Sequence, residues 1–437
     1  MRVAIIGGGW AGLACAVESV AAGHKIHLFE ASRHWGGRAR TASSMLVNGA
    51  ETSADNGQHI LIGAYTETLR LLQQVGVDVQ QVLHRYPLAL RFPDQSGLAL
   101  GGLPSPWDAL LAIATAKGWT LGDKANLLMA ATRWFLARFQ CAGDATVAEL
   151  CQGLSPTVRA DLIDPLCVSA LNTPAQTASA QVFLRVLNDS LFSQAGASNL
   201  LLPTTDLSNL FPHAAVRWLT RQGAQVQLAA RVADVQLGQT EAGWCIDGQH
   251  FDQVVVATDP RNAAQVVTQL AQPLTPERKA QAFAWAEAAS RLRFEAITTV
   301  YATVDSPKLV MPMTALRCTA QFPAQFVFDK GQLGGPPGLL AFVVSASHQS
   351  REDCEAAVVQ QARVQLGLDI RPVQTLVEKR ATFACTPGLR RPGAQIIPTL
   401  LACGDYIDGP YPATLEGAVR SGCAAAQGLA RPATPAN

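Results

Sequence analysis

Apolar residues fall in short unbroken runs near both ends of the chain. Val3-Ala4-Ile5-Ile6 opens the sequence, Lys25-Ile26-His27-Leu28-Phe29 follows, and Leu400-Leu401-Ala402-Cys403 stands near the far end. Such runs, ended by glycine or an acid, read as buried strands of a parallel sheet. Leu13 to Ser19, between the first two, has helical composition. In mid-chain Ala224-Gln225-Val226-Gln227-Leu228, Arg231-Val232-Ala233-Asp234-Val235 and Val254-Val255-Val256-Ala257-Thr258 repeat the strand pattern, after a helix expected over Leu207 to Gln222. Strands alternating with helices place the chain in the α/β class.

The segments between these runs read differently. Thr66 to Val77 is helical, with Leu69, Leu72 and Val75 on one face. Residues 86–100 read as a hairpin, and Trp107 to about Leu191 as a helical region rich in alanine and leucine. Within it, residues 127–139 are apolar on most sides, and Lys124, Arg133 and Arg138 interleave with Trp134, Phe135 and Phe139. That mix suits a helix lying in a membrane interface. It suits equally a buried helix with snorkelling arginines. Residues 262–382 mix a helix at Pro276 to Ala289 with strands at Ile297 to Ala302 and Leu339 to Val344, separated by turns such as Gly334-Gly335-Pro336-Pro337-Gly338. A short Pro/Ala tail follows Ala430.

Composition narrows the picture. Hydrophobic residues make up 49% and charged residues 15% of 437, enough to bury a large core with apolar surface left over. A net charge of +1 gives no reason to expect a nucleic-acid partner. Ten cysteines include no C-x-x-C pair, so no metal site and no disulfide framework is expected, and scattered thiols fit a reducing cytoplasm. Gly7 to Gly9 interrupt any signal-peptide core, and no apolar run reaches the length of about 20 residues that a spanning helix needs.

The candidate chemistry sits at the two ends. Gly7, Gly9 and Gly12 fit G-x-G-x-x-G directly after a strand and before a helix. In that fingerprint the first glycine makes the tight turn, the second lets a pyrophosphate approach the backbone, and the third lets helix and strand pack closely. The helix start then offers free N–H groups and a partial positive charge. Glu30, at the end of the second strand, has the spacing of the acid that binds a ribose hydroxyl. Gly36-Gly37-Arg38 comes soon after, an arrangement typical of flavoproteins, although read alone it is equally a surface turn. Gly57, Gln58 and His59 begin a stretch that can lay N–H groups and an imidazole along a flat ring; a lone histidine is also often a plain core residue. Gly404-Asp405 ends the last strand, and a helix starts near Thr414, where its positive end could face a ring that gathers negative charge on reduction.

Taken together, Gly7 to Gly12, Glu30, Gly36-Gly37-Arg38 and Gly404-Asp405 with Pro412 to Gly422 resemble the flavin-dependent amine oxidase and phytoene desaturase superfamily. The stretches Asp55-Asn56-Gly57-Gln58-His59-Ile60-Leu61 and Tyr411 to Gly422 resemble more narrowly the squalene-associated FAD-dependent desaturases, the hydroxysqualene dehydroxylases of hopanoid synthesis. The resemblance implies an α/β fold with a discontinuous Rossmann-like FAD-binding domain (1–85, 200–262 and 385–437) and an inserted mixed α+β substrate domain (86–199 and 263–384). It implies that Gly7, Gly9 and Gly12, with Trp10 and Ala11 between them, hold the pyrophosphate of FAD, and that Glu30 and Ala31 meet the adenosine ribose. Gly37 and Arg38 would flank the phosphates, and Val232 the adenine. Gly404, Asp405 and the turn of Thr414, Leu415, Glu416 and Ala418 would hold the ribityl and ring, with Gly57, Gln58 and His59 beside the isoalloxazine.

The activity implied is reductive removal of the allylic hydroxyl of a C30 isoprenoid, with His59 as candidate acid or polar guide and Tyr406, Tyr411 and Asp408 as lesser candidates. Alternatives are an oxidative desaturase of squalene or a carotenoid precursor, and a noncatalytic isoprenoid-binding partner. Amine oxidases of the superfamily use a strand lysine beside the flavin. Between Ala280 and Glu378 this chain has only Lys308 and Lys330, neither in a convincing central strand. A membrane-dissolved substrate implies a cytoplasmic protein peripheral to the inner face of the cell membrane, docked through the stretch around Trp134, with other squalene-pathway enzymes as further partners.

Overall fold

The first apolar run, Arg2–Ile6 in the computed structural model, is a strand with Val3, Ala4 and Ile5 fully buried. The structure describes residues 1–103, 106–233, 235–237, 243–305 and 309–429. Arg2–Ile6 lies inside a six-stranded sheet whose strands run, side by side, Gln225–Gln227, Lys25–Phe29, Arg2–Ile6, Gln253–Val256, Leu400–Ala402 and Gln395–Ile397. The first five are parallel and the last is antiparallel. The apolar runs from both chain ends therefore become neighbours through the middle one: Val255 pairs with both Ile5 and Leu401.

Residues 3–6, 254–256 and 400–402 of its central strands are buried on both faces and carry no polar alternation. Helix α1 (Trp10–Ala21) follows the first strand, and the last helix of the chain (Leu415–Gln427) packs against it. Gly422 sets that approach, because a Cβ there would lie 2.2 Å from the Ala11 carbonyl oxygen. Gly12 does the same between helix and strand: a Cβ would lie 1.9 Å from the Gly7 carbonyl oxygen. Each fully buried leucine in this layer, such as Leu13, contributes about 1.5–3 kcal/mol.

A second sheet has five antiparallel strands in the order Met313–Ala315, Phe326–Asp329, Leu339–Ser345, Phe294–Thr303 and Arg371–Phe383. On one face Val300, Ala302, Leu340, Phe342 and Val344 cluster with Cys354 and Val358 of the helix Arg351–Gln361. The other face is turned toward the cavity described below. The helical region includes α2 (Trp107–Thr115), α3 (Leu121–Leu136) and α4 (Ala180–Leu191).

Several elements differ from the sequence expectation. Arg231-Val232-Ala233 is not a strand, and the strand there is Val235–Leu237, with Asp234 outside the described residues. The chain instead turns at Ala229 (φ 54°), and the N–H groups of Ala229 and Ala230 bond to the carbonyls of Ser32 and Glu30. The helix expected over Leu207 to Gln222 is broken into Leu207–Leu210 and Pro212–Arg221. Pro212 lacks an N–H and disfavours helical backbone at Phe211, whose φ is −133°. Helix α3 ends at Leu136 because Arg138 and Phe139 are both left-handed, and within the stretch expected to dock on a membrane Trp134 itself is buried. Lys308 and the Pro/Ala tail lie outside the described residues. Among the described residues no helix is long and apolar enough to cross a membrane.

Candidate active site

One cavity of about 680 Å³ reaches from the fingerprint loop of the parallel sheet to the free face of the five-stranded sheet. At its first end Gly9 is the N-cap of α1, with φ −76° and no side chain capping the helix. The opening N–H groups of α1 are thus left for a ligand. Gly7 needs its φ of 120° to turn the chain, and a Cβ there would sit 2.7 Å from the Ala257 carbonyl. A Cβ on Gly9 would meet only the Gly37 Cα, at 3.9 Å. The Gly36-Gly37 turn is pinned beside this loop by a bond from Gly36 N–H to the Gly8 carbonyl (2.8 Å).

Glu30 is held in place by two backbone donors, Gly8 N–H on Oε2 and Ser32 N–H on Oε1, both 2.7 Å. Trp10 donates its indole N–H to the Ala39 carbonyl (2.8 Å). Arg38 donates to the Ala381 carbonyl (2.8 Å) and to Asp405 Oδ1 (2.5 Å). Burial works against the charge on Arg38, and Asp405 more than restores it, so the guanidinium sits above its ordinary pKa. This pair ties the N-terminal glycine turn to the last strand. Asn56 extends it, donating to the Arg38 carbonyl (3.0 Å) and to Glu378 Oε2 (2.9 Å).

All the sequence-derived site residues but Gly12 and Asp408 line this cavity: the loop group of Gly7, Gly9, Trp10 and Ala11, then Glu30, Ala31, Gly37 and Arg38. Gly57, Gln58, His59 and Val232 follow, and from the C-terminal end Gly404, Asp405, Thr414, Leu415, Glu416 and Ala418. Gly12 is absent from the lining and faces the Gly7 carbonyl, which places it in helix–strand packing. Val232 is buried against the cavity although no strand carries it. Glu416 lines the cavity, yet its carboxylate is committed elsewhere. It accepts from Glu67 N–H (3.1 Å), Thr68 N–H (2.9 Å), the Thr68 hydroxyl (2.7 Å) and Arg420 (2.7 Å). Asp408 is exposed, outside the lining, and bonded to Gly409 N–H, which removes it from the candidates.

His59 Nδ1 lies 3.3 Å from the Gly57 carbonyl oxygen. A carbonyl only accepts, so Nδ1 carries the hydrogen and Nε2 presents a lone pair. Burial, with Arg38 adding to it, holds the His59 pKa below 6.5. The imidazole is therefore neutral at pH 7. Among the described residues Gln58 Oε1 and the Tyr406 hydroxyl, both buried lining groups, have no hydrogen-bond partner, which fits a site that awaits a polar ligand. Burial raises the pKa of Tyr406, Tyr65 and Tyr411, so all three phenols keep their protons.

Much of the remaining wall is apolar, from Phe326, Phe328, Val343 and Leu376 of the second sheet and from Phe183 and Leu187 of α4. Among its polar members, Asp189 and Glu378 carried no motif in the sequence. Asp189 accepts from the Tyr411 hydroxyl (3.0 Å) and from Arg185 (2.8 Å). Lys330 lies in a short turn after Asp329, near Asp55 and Asp206, and among the described residues no lysine lines the cavity.

Comparison with known proteins agrees with this geometry. Residues 10–430 match the family described as flavin containing amine oxidoreductase. The chain is 25% identical to a hydroxysqualene dehydroxylase of Sinorhizobium fredii, across 97% of both chains. It is 26% identical to a hydroxysqualene dehydroxylase of Zymomonas mobilis, again across 97% of both. Among solved structures, an oxidoreductase from Methanosarcina mazei superposes with a TM-score of 0.72 at 15% identity, covering 98% of this chain and 100% of that one, which speaks to the fold.

Proposed function

The chain belongs to the flavin containing amine oxidoreductase family and is a flavin-dependent oxidoreductase, and from that premise we propose that it binds FAD and reductively removes the allylic hydroxyl of hydroxysqualene to give squalene. One observation carries this reading. A single cavity joins a helix start open to phosphate with an apolar wall, and among the described residues that wall has no lysine to serve amine oxidation. The similarity to hydroxysqualene dehydroxylases over nearly the full chain supports the same substrate class.

Gly9 and the start of α1 hold the pyrophosphate, Glu30 the adenosine ribose, and the Asp405 strand end the ribityl chain. Bound and reduced, FAD supplies the hydride that closes the new carbon–hydrogen bond. The protein's own residues do the rest. Phe326, Phe328 and Val343 keep water from the hydrocarbon, which preserves an allylic cation long enough to be trapped. His59 Nε2 accepts from the substrate hydroxyl and fixes where the oxygen points. As the carbon–oxygen bond breaks, hydroxide must take up one proton and leave as water. The donor has to be protonated at neutral pH, which His59 is not. The Tyr406 phenol is, and its hydroxyl has no other partner.

The test is product analysis. The purified protein, reduced under anaerobic conditions and given hydroxysqualene, should form squalene and lose its reduced-flavin spectrum in equal amounts. Formation of a desaturated product from squalene with an electron acceptor, and none from hydroxysqualene, would reverse the direction proposed. A flavin spectrum indifferent to both substrates would leave only a binding role.

A further inference from the structure

We infer that the helical hairpin of α2 and α3 docks on an anionic lipid bilayer. Among the described residues fifteen large apolar side chains are exposed, and nine of them lie between Leu103 and Leu136. A monomer scatters such residues singly; crowding them on one hairpin marks an interaction surface.

Their spacing defines a face. On α2, Trp107, Leu110 and Leu111 stand at i, i+3 and i+4, away from the buried Ala112. On α3, Leu121, Leu128, Met129, Phe135 and Leu136 fall within one stripe of about a third of the helix circumference. The buried residues Leu127 and Trp134 lie off that stripe, one helical repeat apart, and face the core.

Charge chooses the occupant. The hairpin, residues 106–140, carries Lys117, Lys124, Arg133 and Arg138 against only Asp108 and Asp123. Both acids are buried: Asp108 accepts from the Gly101 and Gly102 N–H groups, and Asp123 caps α3 with Thr120. Every exposed charge on the hairpin is therefore positive. By helical position Lys124 borders the apolar stripe on one side and Arg133 on the other, the arrangement of a helix lying flat among anionic headgroups. A second copy of this chain would bring the same positive border to the contact, and like charges would oppose it.

The surface also adjoins the cavity. Phe135 lies 6.3 Å from Phe192 between ring centroids, and Phe139 lies 5.1 Å from it. Phe192 directly follows α4, whose Val186, Leu187 and Leu191 line the cavity. An apolar molecule dissolved in the bilayer would thus meet an aromatic path between the docked face and the cavity wall. The docking itself is read from exposure and charge, and does not rest on the hydroxysqualene reading.

The full-length holoprotein should be sedimented with vesicles of phosphatidylcholine, with and without phosphatidylglycerol. The wild type should pellet with the anionic vesicles and be released by salt. R133Q combined with R138Q should weaken that binding by about 30-fold at low ionic strength and leave any binding to neutral vesicles unchanged. Leu121→Ser, at a side chain 85% exposed, cannot disturb the core and should weaken binding to both vesicle types. An unchanged flavin spectrum and unfolding midpoint show that each variant is folded. A wild type that stays in the supernatant with anionic vesicles would overturn the inference. So would variants that bind like wild type, or a lipid-free dimer that Leu121→Ser dissociates.

Discussion

Replacing Gly9 by alanine should separate cofactor binding from folding. Gly9 has ordinary extended backbone (φ −76°, ψ 179°), so alanine meets no strain there. The added methyl would find only the Gly37 Cα, at 3.9 Å, an ordinary contact. Two small effects on stability then oppose each other. Alanine restricts the unfolded chain, which stabilises by about 0.4–1 kcal/mol. Alanine is also a poorer helix cap than glycine, by several tenths of a kcal/mol to about 1. The apoprotein should unfold within a few degrees of wild type. The holoprotein should not, because the methyl occupies the space through which a pyrophosphate reaches the α1 N–H groups. Losing one hydrogen bond to a charged oxygen costs about 1.5–3 kcal/mol, or about 10- to 150-fold in Kd. Gly12→Ala is the contrasting case. Its Cβ would overlap the Gly7 carbonyl oxygen at 1.9 Å, a backbone atom that cannot swing aside, so stability itself should fall by at least about 1–3 kcal/mol. Thermal unfolding of the stripped protein and fluorescence titration with FAD measure the two quantities. A G9A protein that binds FAD within twofold of wild type would refute the reasoning, and so would an apoprotein with a collapsed midpoint.

Three further outcomes follow from other contacts. Glu416→Ala removes the acceptor for two N–H groups, a hydroxyl and Arg420 at a buried site, and should cost about 2–5 kcal/mol in chemical unfolding. Burial lowers the pKa of His24 and His27 from 6.5, so the folded state prefers them neutral. Their contribution to stability is complete above pH 6.5 and is lost as pH falls, because the unfolded chain takes up protons first; unfolding midpoints measured through that range should drop, and replacing both by glutamine should flatten the drop. His59→Ala should keep the bound-flavin spectrum and lose most turnover. With His59 acting as a neutral acceptor, wild-type turnover should fall as pH drops below 6.5, whereas a rise there would make the imidazolium the proton donor after all.

The fingerprint end of the cavity was legible in the sequence because a tight turn before a helix imposes itself on backbone. Gly7 must turn at φ 120° and Gly9 must stay open, so glycine appears at fixed spacing after a strand. Gly12 faces the Gly7 carbonyl, the close helix–strand packing that the fingerprint gives its third glycine. The Arg38–Asp405 pair was not legible as a pair. Each residue was found by its own motif, but 367 positions separate them and only the sheet order brings them together. The substrate wall was hidden for another reason. The five-stranded sheet is covered on one face by a helix and borders the cavity on the other, so runs such as Leu339 to Val344 are apolar throughout and show no alternation to say which residues face the cavity.

Once the register is known, that wall has a direction. Ser345, Ile297 and Glu378 pair across the sheet in one row, and Val343, Thr299 and Leu376 in the next, where Phe326 joins through Val343. All seven line the cavity. The row holding Ser345 and Glu378 is joined through Asn56 to the Arg38 carbonyl, and so to the Asp405 pair at the cofactor end. The next row keeps one hydroxyl, at Thr299, among apolar side chains. Polarity therefore falls along the strands with distance from the cofactor end. A ligand suited to this gradient has one polar group near the flavin and a long apolar remainder. A diffuse polyamine would leave its far charge in the apolar rows, where no carboxylate stands among Val343, Leu376 and Phe326 to pair with it. The wall thus discriminates by what it withholds as much as by what it contacts, and under the function proposed above a hydrocarbon with a single hydroxyl would lose least on entering it.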